Sequence, residues 1–352
     1  MLPKPKPTAL VFDCGNTIMK EFDEYQGAMI GWPTVEAIPG IGLALERLQT
    51  KYRLFLGTNA QNSNAERIGL ALQRVDLESY FEFIFTFNET HARKPEVAFF
   101  RAIERRTGEF RDQMVIIGDL YDNDITGAKL AGWKAVWYNP RNKPCPGCLP
   151  VHDMEINAMQ ALPEVLNSPA LPEVTTCLLW LQQNNASAHL LSHVQLVAAI
   201  AYQLAVWMRA AGISVNPILA HRGGLLHDIA KAQKTEGVDH GVSGGSLLRA
   251  KGEPILADIA DHHMLFTLLD EKRKPRTWEE KLVYYADKLV EKNEVVAVEQ
   301  RLARLQARYH IDPGILFDEL TLRIKELEGE ICAKVGSSPK NLLERIYEGL
   351  RI

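Results

Sequence analysis

Four short apolar runs, with stretches of helical periodicity between them, constrain the fold of the first half of this chain. A continuous apolar run of this length is typical of a strand that is buried on both faces of a sheet. Strands that alternate with helices indicate a parallel sheet with helices on both sides. The first half is therefore predicted to be an α/β domain. Its apolar runs lie at 9–12, 53–56, 114–117 and 135–138, and its helical stretches at 40–50, 64–75, 97–107 and 123–131.

The second half lacks strand-like alternation and is predicted to be all-α. A last short strand and helix, at about residues 154–166, complete the sheet domain, and a linker that contains two prolines follows at residues 167–172. We place the boundary inside this linker, which divides the chain into residues 1–168 and residues 169–352. A chain of 352 residues is long enough for two domains of ordinary size, each with its own core.

The composition excludes several classes of protein. Hydrophobic residues make up 46% of the chain and charged residues 24%, as in globular domains, and the net charge of −4 gives no electrostatic case for a nucleic-acid sheath. The most apolar run, residues 194–208, is interrupted by Gln195 and Gln203 and is shorter than the about 20 residues that span a bilayer. Five scattered cysteines fit a reducing compartment, and the first residues do not resemble a signal peptide. We expect a cytoplasmic protein without a membrane or nucleic-acid partner, and we leave a homo-oligomer open.

Polar side chains follow the predicted strands at the points where each strand ends. Asp13 follows the first run, Thr58 the second, and Asp119 and Asp124 a later one, while Lys94 precedes a helix. Because parallel sheets bind ligands beyond the carboxyl ends of their strands, we expect these groups to converge at one sheet edge. A carboxylate nucleophile, a hydroxyl and a lysine for phosphate oxygens, and further carboxylates for magnesium together suit phosphoryl transfer.

In these residues the chain resembles the haloacid dehalogenase (HAD) superfamily, across about residues 8–166. The resemblance implies a Rossmann-like fold in which Asp13 is the nucleophile that accepts the phosphoryl group. It also implies that Thr58 and Lys94 bind phosphate, and that magnesium is held by Asp13, Asp119 and Asp124.

One position departs from the pattern of the HAD phosphatases. These enzymes usually carry a second aspartate two positions after the nucleophile, where it protonates the leaving group, and this chain has Gly15 there. The Gly15 carbonyl can still bind magnesium, but the loss of a positioned general acid typically costs about 10²–10⁴ in rate. The stretches that separate Thr17, Thr58 and Lys94 are also too short for a cap domain. Two interpretations remain open: a working phosphatase with a restricted substrate, or a degenerate scaffold.

The second half contains an ordered set of the residue types that bind transition metals. An adjacent His227-Asp228 pair ends an apolar helical stretch, and Lys231 follows about one helical turn later. Imidazoles and carboxylates hold divalent iron, manganese or zinc, and their number here exceeds what one ion normally needs. We therefore expect a two-metal hydrolytic centre. The further candidate ligands are His193, His240, His262, His263 and Asp287.

This ordered set resembles the HD metal-dependent phosphohydrolases that hold two metals, across about residues 170–352. The resemblance implies that Asp228 bridges the two ions and that Lys231 contacts a substrate phosphate. The ligands of the first ion would be His193, His227, Asp228 and Asp287, and those of the second would be Asp228, His240, His262 and His263.

These patterns together predict a phosphohydrolase that acts on a phosphorylated small molecule at the dinuclear centre of the second domain. The substrate would be a nucleotide or a related phosphoester. One alternative is a HAD-type magnesium phosphatase in which the helical domain is a lid or a sensor. The others are a nucleotide-binding regulator without catalysis, and oxygen-dependent cleavage at a di-iron centre.

Overall fold

The chain divides into two compact units in the computed structural model, which describes residues 6–61, 63–233, 239–309 and 315–350. The first unit comprises Met1–Arg141 with Val151–Ala170, and the second comprises Asn142–Pro150 with Leu171–Ile352. Each unit has its own cluster of buried apolar side chains. The domain boundary between residues 168 and 169 stays a prediction.

The first unit is built on a six-stranded parallel sheet with helices, which confirms the α/β prediction. Its strands are β1 Ala9–Phe12, β2 Arg53–Gly57, β3 Phe83–Phe85, β4 Met114–Gly118, β5 Lys134–Tyr138 and β6 Met154–Ile156. They are arranged in the order β3-β2-β1-β4-β5-β6. Its helices are α1 Ile41–Leu48, α2 Ala65–Gln73, α3 Phe87–Thr90, α4 Val97–Thr107, α5 Gly127–Ala131 and α6 Leu162–Asn167.

Strand β1 is central in this sheet, and all four of its residues are buried. It pairs with β2 on one side and with β4 on the other, so that Phe12 lies opposite both Leu56 and Ile117. Because these three strands are parallel and in register, the residues that follow them leave the sheet at the same edge. The Asp13 amide extends the ladder by donating to the Ile117 carbonyl at 2.8 Å.

The second unit is helical apart from one short hairpin, and the all-α prediction is confirmed at the level of fold class. The hairpin pairs β7 Val290–Glu291 with β8 Glu294–Val295. The helices are α7 Val174–Gln183, α8 Ala188–Ala210, α9 Pro217–Leu226, α10 His240–Ala250, α11 Pro254–His262, α12 Trp278–Lys288, α13 Val298–Tyr309, α14 Ile315–Val335 and α15 Pro339–Leu350.

Helix α8 is the core helix of this second unit. Among the described residues, it is the one helix that is long and apolar enough to cross a membrane, yet 72% of its most apolar stretch is buried within the protein. The segment Asn142–Pro150, which the sequence pattern assigns to the first domain, groups with this unit. The Cys145 amide donates to the Tyr202 hydroxyl at 3.2 Å, and Arg209 Nε donates to Asn142 Oδ1 at 2.8 Å.

Two short pieces of sheet are missing from the sequence prediction. Strand β3 has three residues and the strands of the hairpin have two each, so none of them is long enough to show a periodicity. The hairpin turn places Lys292 and Asn293 at φ values of 49° and 66°. Positive φ at both central residues is the conformation of the type I′ turn that joins closely paired antiparallel strands.

Helices α8 and α9 pack closely because α9 has a glycine at their contact. A Cβ at Gly224 would lie 2.5 Å from the Cα atom of Ala198, which is backbone and cannot rotate away. The close approach brings the end of α9, where His227 and Asp228 are located, against the helix that carries His193. The absence of one side chain therefore determines how near these three residues lie.

We expect Gly224→Ala to lower the free energy of unfolding of the helical unit by about 1–3 kcal/mol, because the added methyl group overpacks the contact. The matched control is Gly329→Ala on α14, where a Cβ meets no atom within 4 Å. There the change should raise stability by about 0.5–1 kcal/mol, because alanine loses less backbone entropy in a helix. Urea unfolding followed by circular dichroism measures both changes, and a shift of the same sign in the two variants would contradict the packing argument.

Candidate active sites

The first site is located at the carboxyl edge of the parallel sheet, and a buried lysine is at its centre. Lys94 Nζ lies 2.5 Å from Asp13 Oδ1 and 2.6 Å from Asp124 Oδ1, and all three side chains are buried. A buried ammonium group and two carboxylates in contact leave one net negative charge. The two carboxylates outweigh the effect of burial and raise the pKa of Lys94, which keeps it protonated.

Asp119 completes an acidic group beside this lysine. Asp13, Asp119 and Asp124 each present an oxygen within 4.8 Å of the others, and Thr17 Oγ1 donates to Asp119 Oδ1 at 3.3 Å. Burial and the charge of Asp13 raise the pKa of Asp119 to about 6. Three crowded carboxylates repel one another, and a hard divalent cation with oxygen ligands relieves that repulsion. The assignment of these residues to magnesium stays a prediction.

Asn59 holds Lys94 in place, a role that the sequence pattern does not reveal. Its Nδ2 donates to the Lys94 carbonyl at 2.8 Å, and its Oδ1 accepts from the Lys94 amide at 2.9 Å. The side chain therefore clamps the lysine backbone from both sides, across 35 residues of sequence. The preceding residue, Thr58, is buried, and its Oγ1 accepts from the Ala60 amide at 3.1 Å.

A cavity of about 290 Å³ opens above these residues. Asp13, Thr58 and Asp119 line it, as the sequence predicts, and so does Glu21, which the sequence does not single out. Burial raises the pKa of the Glu21 carboxyl, and the charges of Asp13 and Asp23 raise it further. The sequence does not single out Glu21 because no predicted strand or helix ends at this residue.

The second site is located in the helical unit, and Asp228 is at its centre. Helix α9 ends at Leu226, one residue before the His227-Asp228 pair, so the pair lies in the turn that follows and not on the helix itself. His227 and Asp228 are buried. In this turn the two neighbouring side chains both face the same cluster, and Asp228 Oδ2 lies 3.3 Å from His227 Nε2.

Each oxygen of Asp228 faces a different group of ligand atoms. Oδ2 faces His227 and also His193 Nε2, which is 3.6 Å away. Oδ1 faces His240 Nε2 at 3.0 Å and His263 Nε2 at 3.3 Å. Each group offers nitrogen and oxygen atoms within 4.8 Å of one another.

Asp287 and His262, the two remaining predicted ligands, lie in different environments. Asp287 Oδ1 lies 3.1 Å from His193 Nε2 and 3.7 Å from His227 Nε2, so it adjoins both histidines of the first group. His262 Nδ1 instead lies 2.8 Å from Glu280 Oε2, and the residue belongs to neither group of ligand atoms found in the described chain. The assignments of His262 and of the other ligands stay predictions.

Backbone carbonyls determine which ring nitrogen of two histidines faces Asp228. His227 Nδ1 lies 2.7 Å from the Gly224 carbonyl, and His263 Nδ1 lies 2.6 Å from the Ala260 carbonyl. A carbonyl only accepts, so Nδ1 carries the proton in both rings, and in the neutral ring Nε2 presents a lone pair. These lone pairs face carboxylate oxygens in a buried space, an arrangement that a cation between them stabilises.

The protonation equilibria of the cluster also point to a deficit of positive charge. Burial of the His227 ring lowers its pKa, but the charges of Asp228 and Asp287 outweigh burial and raise it to about 9. A proton is therefore drawn into the cluster. Burial lowers the pKa of His263 to about 4, so that ring stays neutral with a free Nε2 lone pair. The buried Nε2 atoms of His193 and His227 have no hydrogen-bond partner among the residues that the structure describes.

A cavity of about 550 Å³ adjoins the cluster and combines cationic with apolar walls. Lys231 Nζ lies in it 2.5 Å from Asp228 Oδ2, and Lys288 Nζ lies 2.6 Å from Asp287 Oδ2. Arg273 also lines the cavity, and it was not predicted because it lies in a charged segment that resembles a solvated connection. The apolar wall consists of Met264, Leu265, Phe266 and Leu305.

Comparison with known proteins identifies both domains. Residues 10–138 match the family described as haloacid dehalogenase-like hydrolase, and residues 190–291 match the HD domain. An uncharacterised protein of Methanocaldococcus jannaschii is 32% identical over 137 residues, which are 36% of this chain and 80% of that protein. The pyrimidine 5′-nucleotidase of Streptococcus pneumoniae is 29% identical over 96 residues, which are 27% of this chain and 39% of that enzyme.

Among solved structures, the putative HAD-hydrolase YfnB of Bacillus subtilis, bound to magnesium, is 20% identical with a TM-score of 0.39. The match covers 47% of this chain and 100% of that one. The two family matches define a two-domain hydrolase. The first domain of the chain belongs to the haloacid dehalogenase-like hydrolases, and the second contains the HD domain.

We expect the number of bound transition metals to follow the two groups around Asp228. Elemental analysis should find about two ions per chain in the native protein, about one in Asp287→Asn or His240→Ala, and almost none in Asp228→Ala, which removes the shared ligand. The control is His189→Ala, an exposed histidine on the same helix as His193, which should keep both ions. Equal metal content in Asp228→Ala and native protein would contradict the grouping.

Proposed function

We propose that the HD domain is a dinuclear metal-dependent phosphohydrolase that acts on a phosphorylated small molecule. The observation that carries this proposal is the position of the Asp228 carboxylate, with one oxygen facing His193 and His227 and the other facing His240 and His263. A carboxylate whose two oxygens face different groups of nitrogen atoms is placed to bridge a pair of cations. The arrangement leaves little function for Asp228 other than holding positive charge on both sides.

The donor set fits first-row transition metals better than magnesium or calcium. Neutral imidazole nitrogens suit iron, manganese and zinc, whereas magnesium and calcium prefer oxygen ligands. The candidate ligands are His193, His227, Asp228, His240, His263 and Asp287, with His262 as a further candidate. When bound, such cations polarise a phosphoryl oxygen and lower the pKa of a bound water.

The side chains around the cluster support a phosphoester substrate. Lys231 and Arg273 line the same cavity as Asp228, and both can contact the non-bridging oxygens of a phosphate group. Leu265, Phe266 and Leu305 line the same cavity and offer an apolar surface. A cavity of about 550 Å³ with both cationic and apolar lining suits a molecule that carries a phosphate and a flat apolar part, such as a nucleotide.

A second candidate function is phosphatase activity of the HAD-like domain with magnesium. Asp13 would accept the phosphoryl group, Lys94 and Thr58 would bind its oxygens, and the ligands of magnesium would be Asp13, the Gly15 carbonyl, Asp119 and Asp124. The observation that favours it is the cavity lined by Asp13, Thr58 and Asp119, because a substrate in this cavity would contact the predicted nucleophile, Asp13. The nucleotidase named among the relatives aligns in part, which agrees with a small phosphorylated substrate.

We expect Asp228→Ala to lower hydrolysis in iron or manganese by about 10³-fold or more, because several kcal/mol of charge stabilisation are lost with both cations. Asp13→Asn should abolish only a second activity that depends on magnesium. The assays are initial rates on a panel of phosphorylated metabolites in each metal. Asp258→Ala is the control, because Asp258 is half-exposed and pairs with Arg249. Full phosphatase activity in Asp228→Ala would transfer the catalysis to the first domain.

A further inference from the structure

The space that Gly15 leaves empty is filled by the carboxylate of another residue. A Cβ atom built on Gly15 would overlap Glu21 Oε1 and would lie 2.6 Å from Glu21 Cδ. In the HAD phosphatases that this domain resembles, the residue at this position is usually an aspartate, which protonates the leaving group. The chain therefore lacks a carboxylate at position 15 in sequence but has one there in space.

A tight turn delivers Glu21 to this position. The Ile18 and Met19 amides both donate to the Cys14 carbonyl, at 2.9 Å each, so the chain reverses direction directly after Asp13. Asn16 is at a φ of 52°, in the left-handed region that asparagine tolerates better than most residues. The reversal brings Glu21 back against Gly15, six residues after its starting point in the sequence.

Asn16 then fixes the position of Glu21 by two hydrogen bonds. Asn16 Nδ2 donates to Glu21 Oε2 at 3.1 Å, and the Glu21 amide donates to Asn16 Oδ1 at 3.1 Å. One carboxylate oxygen is thus held by the amide group of Asn16, while the other, Oε1, faces Gly15. Within the described part of the chain, no side chain forms a hydrogen bond to Oε1, which leaves this atom free to exchange a proton with a substrate.

Glu21 also lines the cavity in which a phosphate group that reacts with Asp13 would be bound. It lines the same cavity as Asp13, Thr58 and Asp119, and its side chain is still accessible to solvent. An acid that protonates a leaving oxygen must lie beside the nucleophile on the open side of the phosphate, within hydrogen-bond distance. Water must reach the same place in the second half of the reaction, and the exposure of Glu21 allows this.

We propose that Glu21 is the general acid and base of the HAD-like site, in the place of the aspartate that Gly15 replaces. This role rests on the proposed phosphatase activity of that domain. A carboxylate oxygen of Asp13 bonds to phosphorus as the bond from phosphorus to the leaving oxygen breaks, and the proton of Glu21 passes to that oxygen. Glu21 then takes a proton from the water that attacks the aspartyl phosphate, which releases phosphate and restores Asp13 and protonated Glu21.

The dependence on the leaving group tests this role in the full-length chain. A poor leaving group such as the alkoxide of glycerol phosphate needs protonation, whereas the nitrophenolate of p-nitrophenyl phosphate does not. In magnesium, after subtraction of the rate of Asp13→Asn, Glu21→Gln should lower kcat/KM for glycerol phosphate by about 10²–10⁴. It should leave kcat/KM for p-nitrophenyl phosphate within about tenfold of native, with a burst of nitrophenolate because the second step lacks its base.

Two further variants separate chemistry from structure. Glu24→Gln removes a nearby exposed carboxylate that does not line the cavity, and it should behave as the native protein with both substrates. The pair of changes Gly15→Asp with Glu21→Ala restores a carboxylate at position 15 and removes the group that would overlap it. This double variant should recover glycerol phosphate hydrolysis at least tenfold over Glu21→Ala alone, which a purely structural role of Glu21 does not predict.

Two results would overturn the proposal, and they are distinguishable. Equal kcat/KM values of Glu21→Gln and native protein on glycerol phosphate, with activity that requires Asp13 still present, would remove the role of Glu21 alone. No hydrolysis that depends on Asp13 in the native protein, with any tested phosphoester, would remove the phosphatase activity of this domain and the role of Glu21 with it.

Discussion

The helical unit is organised around a single buried carboxylate that faces the ring nitrogens of four histidines. Asp228 is buried and is approached by the Nε2 atoms of four histidines within 3.6 Å, and His227 is adjacent to it in sequence. Uncompensated lone pairs and charges in a buried space destabilise a fold by several kcal/mol. The surrounding helices hold this arrangement because His227 and His263 are tied to backbone carbonyls and because Gly224 lets α8 and α9 approach. A cation placed among these side chains would stabilise the cluster.

The sheet unit handles a similar excess of negative charge in another way. There the compensating charge is an internal one, the ammonium group of Lys94, which contacts Asp13 and Asp124. The candidate metal-binding atoms of the sheet unit are carboxylate oxygens, whereas most of those in the helical cluster are imidazole nitrogens. The two sites therefore differ in the metal that they would select, with magnesium suited to the first and a transition metal to the second. This difference in ligand chemistry would allow the two proposed activities to be assayed separately in one chain.

The parts of the molecule that the sequence predicts are those with a repeating or local signal. Buried strands are continuous apolar runs, and the turn residues after them lie at one edge because parallel strands must align. The His227-Asp228 pair is recognisable because its residue types are adjacent, although the helix ends before it and not beyond it. Asn59 and Glu21 were not predicted, because their roles arise from contacts across a loop and leave no pattern in the local sequence. His262 could not be distinguished from its neighbour His263, because the sequence does not show which of two adjacent rings faces Asp228.

The most direct test of the role of Asp228 is a crystal structure of the protein loaded with manganese or iron, with the ions located by anomalous scattering. We expect two peaks about 3.5–4 Å apart, with one oxygen of Asp228 bound to each. The peak near Oδ2 should lie among His193, His227 and Asp287, and the other should lie beside His240 and His263. A single peak, or two peaks that do not share Asp228, would contradict the central role of this carboxylate.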